Sequence, residues 1–318
     1  MAYRLKLKEA LAKGVRRIAG EQLGNAATRL EGGSNPETSV HEARKSLKRT
    51  RALLRLVRPG LGDTNFRKAN VRLRDIARGL SAARDRDVVR GLLQALSSAK
   101  PALAKAAHRL LEIVDATPAA TNSSGTPQQK MGDALREIEA VRREIGAIVL
   151  HPGSFETIVA GLTMSHRAGR KALARALETP EDDETLHDLR KSAQAYWRQM
   201  ILVQHAWPEA CLARAAAAKL VADLLGHDHD IALLDGVLAS PDGQVLSAAD
   251  RRALLRYCKA RHDELRAEAM PKAQLLFVEK SDQLGARIQS LWEAAQRADR
   301  TRARGADKSE APAVRRSS

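Results

Sequence analysis

Apolar positions recur every three to four residues along almost the whole chain, and strict apolar–polar alternation is missing. A period near 3.6 residues buries one face of a helix, so the pattern predicts an all-α protein. The first helix spans 3–30, with Leu7, Leu11, Val15, Ile18, Leu23 and Leu30 inward and Lys13, Arg16 and Arg17 between them. Gly32-Gly33-Ser34-Asn35-Pro36 ends it. Thr38 or Ser39 can cap the next helix, 40–58, which Pro59-Gly60 stops. A third helix covers 64–82, with Phe66, Ala69, Leu73, Ile76 and Leu80 on one face. Ala82-Ala83-Arg84-Asp85 reads as a bend, with Asp85 capping a helix to about Leu96; Pro101 opens another to about Ala116. Residues 117–130 are small, polar and Pro-bearing and predict a linker. Further helices are expected at 131–150, 154–177, 182–206, 209–226, 230–239, 247–268 and 271–298. The period then stops, and 300–318 reads as a disordered basic tail.

The 40–58 helix has an unusual distribution of charge. At about 100° per residue, His41, Arg44, Lys48, Arg51 and Arg55 fall within a sector of roughly 80°. Val40, Ala43, Leu47, Leu54 and Val57 fill the sector beside it. A surface helix ordinarily sets its charges opposite the core. A cationic stripe along the edge of the buried face predicts instead a positive groove between helices, with an imidazole at one end. Like charges at this spacing repel unless an anion neutralises them. The 64–82 helix carries a second such stripe, Arg67, Arg74 and Arg78.

Composition widens the argument. Lys+Arg 54 against Asp+Glu 38 leaves a formal charge of +16. That excess points to a polyanionic partner: nucleic acid, an anionic surface or a polyphosphate. Cys211 and Cys258 lie far apart in periodic helical sequence and read as small apolar residues of a reducing compartment. The N-terminus is charged from Arg4, so no secretory apolar segment is expected, and no apolar run approaches a membrane span. The expectation is a soluble cytoplasmic protein without a membrane partner.

Residues 186–192, Leu-His-Asp-Leu-Arg-Lys-Ser, repeat 40–46, Val-His-Glu-Ala-Arg-Lys-Ser. Ala77 to Asp85 likewise lines up with Ala222 to Asp230. The chain therefore reads as one domain, 1–299, made of two related helical halves at about 1–116 and 131–299. The duplicated positions include charged ones, which a packed core does not require.

The His-x-x-Arg-x-x-x-Lys-Arg-x-Arg helix and the Leu-x-x-x-x-Asp turn after it, duplicated in an all-helical chain, resemble the CHAD family, the conserved histidine α-helical domain. The resemblance covers about residues 1–298. It implies two pseudo-symmetric helical bundles around a central basic cavity and non-catalytic binding of inorganic polyphosphate there. In some members it also implies association with polyphosphate or other storage granules. Carried over by position, the motif gives His41, Arg44, Lys48, Arg49 and Arg51 in the first half, His187 and Arg190 in the second, and Arg74 from the third helix. Arg55 and Arg78 from the stripes, Lys45 and Lys191 from the shared Arg-Lys-Ser, Arg17 and Arg198 complete the candidate binding set. The second copy departs from the pattern, with Gln194 opposite Lys48 and Trp197 opposite Arg51, while Lys191 and Arg198 compensate in part. An asymmetric site dominated by the first half is expected.

This chemistry suits a phosphate polymer, which carries about one charge per unit and offers no base to stack on. Cations one helical turn apart, about 5 Å, can reach adjacent phosphates. Arg grips two oxygens with a planar fork, and Lys acts as a mobile point charge. His41 can donate to phosphate when protonated, so affinity should rise as pH falls; alternatively it is a helix-start histidine bonded to a backbone carbonyl. Nucleic acid bound through its phosphates stays open, although aromatics at 3% leave little for stacking platforms. A metal-dependent phosphohydrolase is the weaker rival. His187-Asp188 and His227-Asp228-His229-Asp230 supply ligand types, but neighbours on a helix point about 100° apart. No Gly-rich phosphate loop or nucleophile elbow is present. Neither cofactor, metal nor catalysis is expected.

Overall fold

The computed structural model describes residues 3–32, 36–80, 84–117 and 126–309, and among these the chain is helical without strands. The first-half helices are α1 (Leu11–Gly32), α2 (Pro36–Leu56), the short α3 (Arg58–Leu61), α4 (Asp63–Gly79), α5 (Arg84–Ala99) and α6 (Pro101–Ala116). Then follow α7 (Pro127–Gly146), α8 (Phe155–Glu178), α9 (Asp183–Leu202), α10 (Pro208–Ala239), the short α11 (Pro241–Gln244), α12 (Ala248–Leu276) and α13 (Ser281–Ser309). The expected break at 33–35, the bend at 82–83 and residues 118–125 of the linker lie outside the described residues, as do 310–318 of the tail.

Several boundaries differ from the periodic reading, each for a physical reason. Residues 3–10 form a non-helical strap: the Leu5 amide donates to the Leu202 carbonyl at 2.9 Å, and Leu5 is buried. The second helix starts at Pro36, a residue suited to a first turn, before Thr38 or Ser39 could cap it. Gly62, with φ +80, closes α3 and leads directly into α4. The helices expected at 209–226 and 230–239 are one, because Gly226-His227-Asp228-His229 contains no proline and its hydrogen-bond ladder continues. Helix α12 runs through Pro271, whose missing N–H should cost about 3 kcal/mol. Burial of Ala269, Ala273 and Leu276 on the side away from that exposed proline offsets the loss. Helix α13 extends to Ser309, ten residues into the stretch expected to be a disordered tail. Its Arg- and Ala-rich composition propagates a helix already nucleated by packing.

Helix α1 packs on α2 and α7, and α2 on α4; in the second half α8 packs on α9 and α13, and α9 on α10. The hairpin α5–α6, which precedes the linker, packs on α10, α11 and α12, whereas α7, which follows it, packs on α1 and α4. The stretches 1–116 and 131–299 are thus interleaved in space. Ile138, Val141 and Ile145 of α7, like Leu93 of α5 and Leu110 of α6, bury where the facing apolar surface is, whatever their order in the chain.

The crossing of α8 over the end of α2 leaves no room for a side chain at Gly161, where a Cβ would stand 1.8 Å from the Leu56 carbonyl oxygen. Gly161→Ala is expected to destabilise the fold by about 2–3 kcal/mol, visible as an earlier urea midpoint. Gly20→Ala, in α1 with open space around it, is the control expected to show no loss.

Candidate functional site

Ala43, Leu47, Leu53 and Leu54 are fully or almost fully buried and fix the rotation of α2 against its neighbours. That rotation turns Arg44, Lys48, Arg51 and Arg55 into a cavity of about 560 Å³. Helix α4 adds Asn70, Arg74 and Arg78, and α5 adds Asp85 and Val88. From the second half, α9 contributes His187, Arg190, Lys191, Gln194 and Arg198, and α10 contributes His229, Asp230 and Leu233. Nine Lys/Arg face two Asp, so the walls carry a large positive excess. Six of the nine come from the first half.

Three of these cations bond neutral oxygens. Arg51 Nε donates to Asn70 Oδ1 at 2.9 Å, Arg44 to the Ala77 carbonyl, and Arg198 to the Gln194 carbonyl at 2.8 Å. Two bond acids instead: Arg74 holds Asp75 at 2.8 Å, and Lys191 holds Asp188 at 3.1 Å. Burial, and then repulsion from Arg55, Arg74 and Arg78, pushes the Arg51 guanidinium down to about 10. Burial lowers Arg55 as well and brings Arg198 to about 10. A guanidinium lowered this far is still charged at neutral pH. The site therefore stores electrostatic repulsion that a bound anion would relieve.

His187 lies in the cavity with its ring 5.0 Å from that of His229, at 32°. Its buried Nδ1 has no hydrogen-bond partner among the described residues. Burial, then Lys191, His229 and Arg190, drives the imidazole down to about 4. It is neutral at pH 7.

The cavity takes ten of the fourteen candidates and leaves four outside. His41, an expected ligand, is exposed at the edge of the stripe and does not line the cavity. It stands some 60° round from Arg44, and α2 is turned so that the sector centred on Arg44 and Arg55 faces inward. Lys45 and Arg49 lie roughly 100° and 140° round from Arg44. Lys45 pairs with Glu42 at 2.9 Å, and Arg49 faces α1, with Gln22 Oε1 at 3.4 Å and the Tyr3 ring beneath it. Arg17 is engaged by Glu9 at 2.7 Å.

Residues 227–230 splay around α10 as helical geometry requires. His227 is exposed, Asp228 is buried against His262 and Arg266 of α12, and His229 and Asp230 face the cavity. Among the described residues no group of three or more His, Cys, Asp or Glu could hold a metal ion. Sequence reasoning gave no role to Asn70, which orients Arg51, or to Gly226, where a Cβ would stand 3.1 Å from the Arg190 guanidinium. An isolated Asn or Gly carries no periodic signal. Gln194 does line the wall, as a neutral hydrogen-bonding group opposite Lys48. Trp197 is absent from the wall and supports Arg198, whose guanidinium lies 4.4 Å from its ring.

Cys211 and Cys258 are both buried free thiols. Among the described residues no helix is long and apolar enough to cross a membrane. The family model described as CHAD domain matches residues 17–239. No curated protein and no solved structure matches the chain.

Proposed function

The chain belongs to the CHAD domain family, and from that premise we propose that it binds inorganic polyphosphate in the cavity between α2, α4, α9 and α10 without turning it over. The observation that carries this reading is the wall itself, with nine Lys/Arg, two Asp and no Phe, Tyr or Trp among the described residues around one concavity. Such a wall suits a ligand with charge along its whole length and no rings. Nucleic acid is the second reading, on the same phosphate chemistry, but the lining offers its bases only two imidazoles and guanidinium planes to stack on. We read the paired His-led helices as halves of a duplicated bundle, and the location as cytoplasmic, on polyphosphate or other storage granules.

A bound polyanion favours the protonated form of His187. Its pKa is near 4 in the free protein and rises on binding, so protons are taken up and affinity grows as pH falls. Long-chain polyphosphate is expected to bind several-fold more tightly at pH 5 than at pH 7, and to survive excess single-stranded DNA. In a His187→Asn, His229→Asn variant this pH dependence should disappear. Displacement by the DNA at equal phosphate concentration would favour the nucleic-acid reading, and absence of polyphosphate binding at either pH would end the present one.

A further inference from the structure

A second concave basic surface lies where α8 meets the start of α13. Arg167, Arg170 and Lys171 of α8, with Lys280 just before α13, line a hollow of about 450 Å³. Its one acid, Asp282, is bonded to Arg167 at 2.9 Å. Arg170, Lys171 and Lys280 are exposed and make no ion pair among the described residues. Three cations therefore crowd a hollow that supplies no counter-charge for them.

This surface connects to the cavity. Lys171 and Arg175 stand one turn apart on α8, about 6 Å. Arg175 reaches Asp188 at 3.1 Å, and Asp188 also holds Lys191 at 3.1 Å. Lys191 is part of the cavity wall. The cationic row on α8 thus runs from the hollow to the rim of the main site.

Resting on the polyphosphate reading, we propose that the α8–α13 hollow is a second, outer site for the same polymer. A short chain fills the cavity alone. A long chain leaves it past Lys191, follows α8 and is held again by Arg170, Lys171 and Lys280. The protein then distinguishes chains by length through an added contact rather than through a tighter cavity, the second contact acting at the high effective concentration of a tethered ligand.

The test compares tripolyphosphate with long-chain polyphosphate on the full chain carrying Arg170→Glu, Lys171→Glu and Lys280→Glu. These exposed residues can be reversed without entering the core. Tripolyphosphate affinity should stay within about twofold of wild type, and long-chain affinity should fall about tenfold or more. The salt slope for the long chain should become shallower by roughly three counterions. Lys100→Glu, Lys105→Glu, Arg109→Glu, exposed on and beside α6, makes the same change in net charge and should retain most long-chain affinity. Equal loss in that control, or unchanged long-chain binding by the α8–α13 variant, would overturn the outer site. Failure of wild type to bind either polymer would instead remove the polyphosphate reading, and the outer site with it.

Discussion

A chain carrying Arg51→Met and Arg55→Met is expected to bind polyphosphate about 100-fold more weakly and yet to unfold at a urea concentration no lower than wild type. Each guanidinium can donate charge-assisted hydrogen bonds worth roughly 1.5–3 kcal/mol to a phosphate oxygen. Two such losses, partly compensated by neighbouring cations, leave about 3 kcal/mol, or roughly two decades in Kd. The stability expectation has the opposite sign. In the free protein Arg51 is partly buried, repelled by Arg55, Arg74 and Arg78, and bonded to the neutral Asn70. Methionine keeps the apolar stem against the wall and removes the repulsion. Arg44 is a poorer probe, because its bond to the Ala77 carbonyl also ties α2 to α4. Arg190→Met should cost only about threefold, less than the roughly tenfold per residue of the double variant, since the second half contributes fewer cations. Isothermal titration with urea unfolding on the same samples checks both halves of the statement. Tight binding by the double variant would remove the cavity from the site, and a large stability loss would mean these arginines are structural.

His262→Gln is expected to cost about 3 kcal/mol of folding stability at pH 7, with the difference from wild type shrinking toward pH 10. His262 Nδ1 lies 2.6 Å from Asp228 and its Nε2 3.0 Å from Asp235, and only 12% of its side chain is accessible. Arg266 holds the same Asp228 at 2.8 Å and reaches Asp183 at 3.0 Å, joining α12 to α10 and the start of α9. Hydrogen bonds to Asp228 and then Asp235 lift the imidazole to about 9, against burial. Burial alone would raise Asp228, but the bonds from His262 and Arg266 hold it below the usual carboxylate range. The histidine's folded pKa thus exceeds its unfolded value near 6.5. Its contribution is complete below about pH 6.5 and disappears as pH rises through about 9. A shift of this size is worth about 3 kcal/mol. Urea unfolding of both proteins at pH 7 and pH 10 measures it, and a constant gap between them would mean that the histidine packs without carrying charge.

His41 and His187 show where reading the sequence reached its limit. The two head matching heptapeptides, so the sequence ranks them equally. Only His187 enters the cavity, because the rotation of α9 about its own axis places its imidazole against His229, while His41 sits on the margin of α2's inward sector. A sector some 80° wide predicts which residues share a side, yet it leaves the margins undecided. The buried acid–histidine network was less legible still. Asp228, Asp235, His262 and Arg266 lie on two helices whose pairing no periodicity announces.

The spacing of apolar residues, by itself, determined that this chain is all-α among the described residues. The spacing of its cations determined that a positive stripe borders the core of α2, and the repeated motif determined the family. The first two are local properties, written within a few turns of one helix, and the third is a likeness between two such stretches. Tertiary packing decided which cations meet around one cavity, that α5–α6 and α7 pack across the linker, and that the His187 imidazole is half-buried and neutral there. Those outcomes depend on the rotation and neighbours each helix adopts when its apolar face is buried, and that choice is made by the whole core at once.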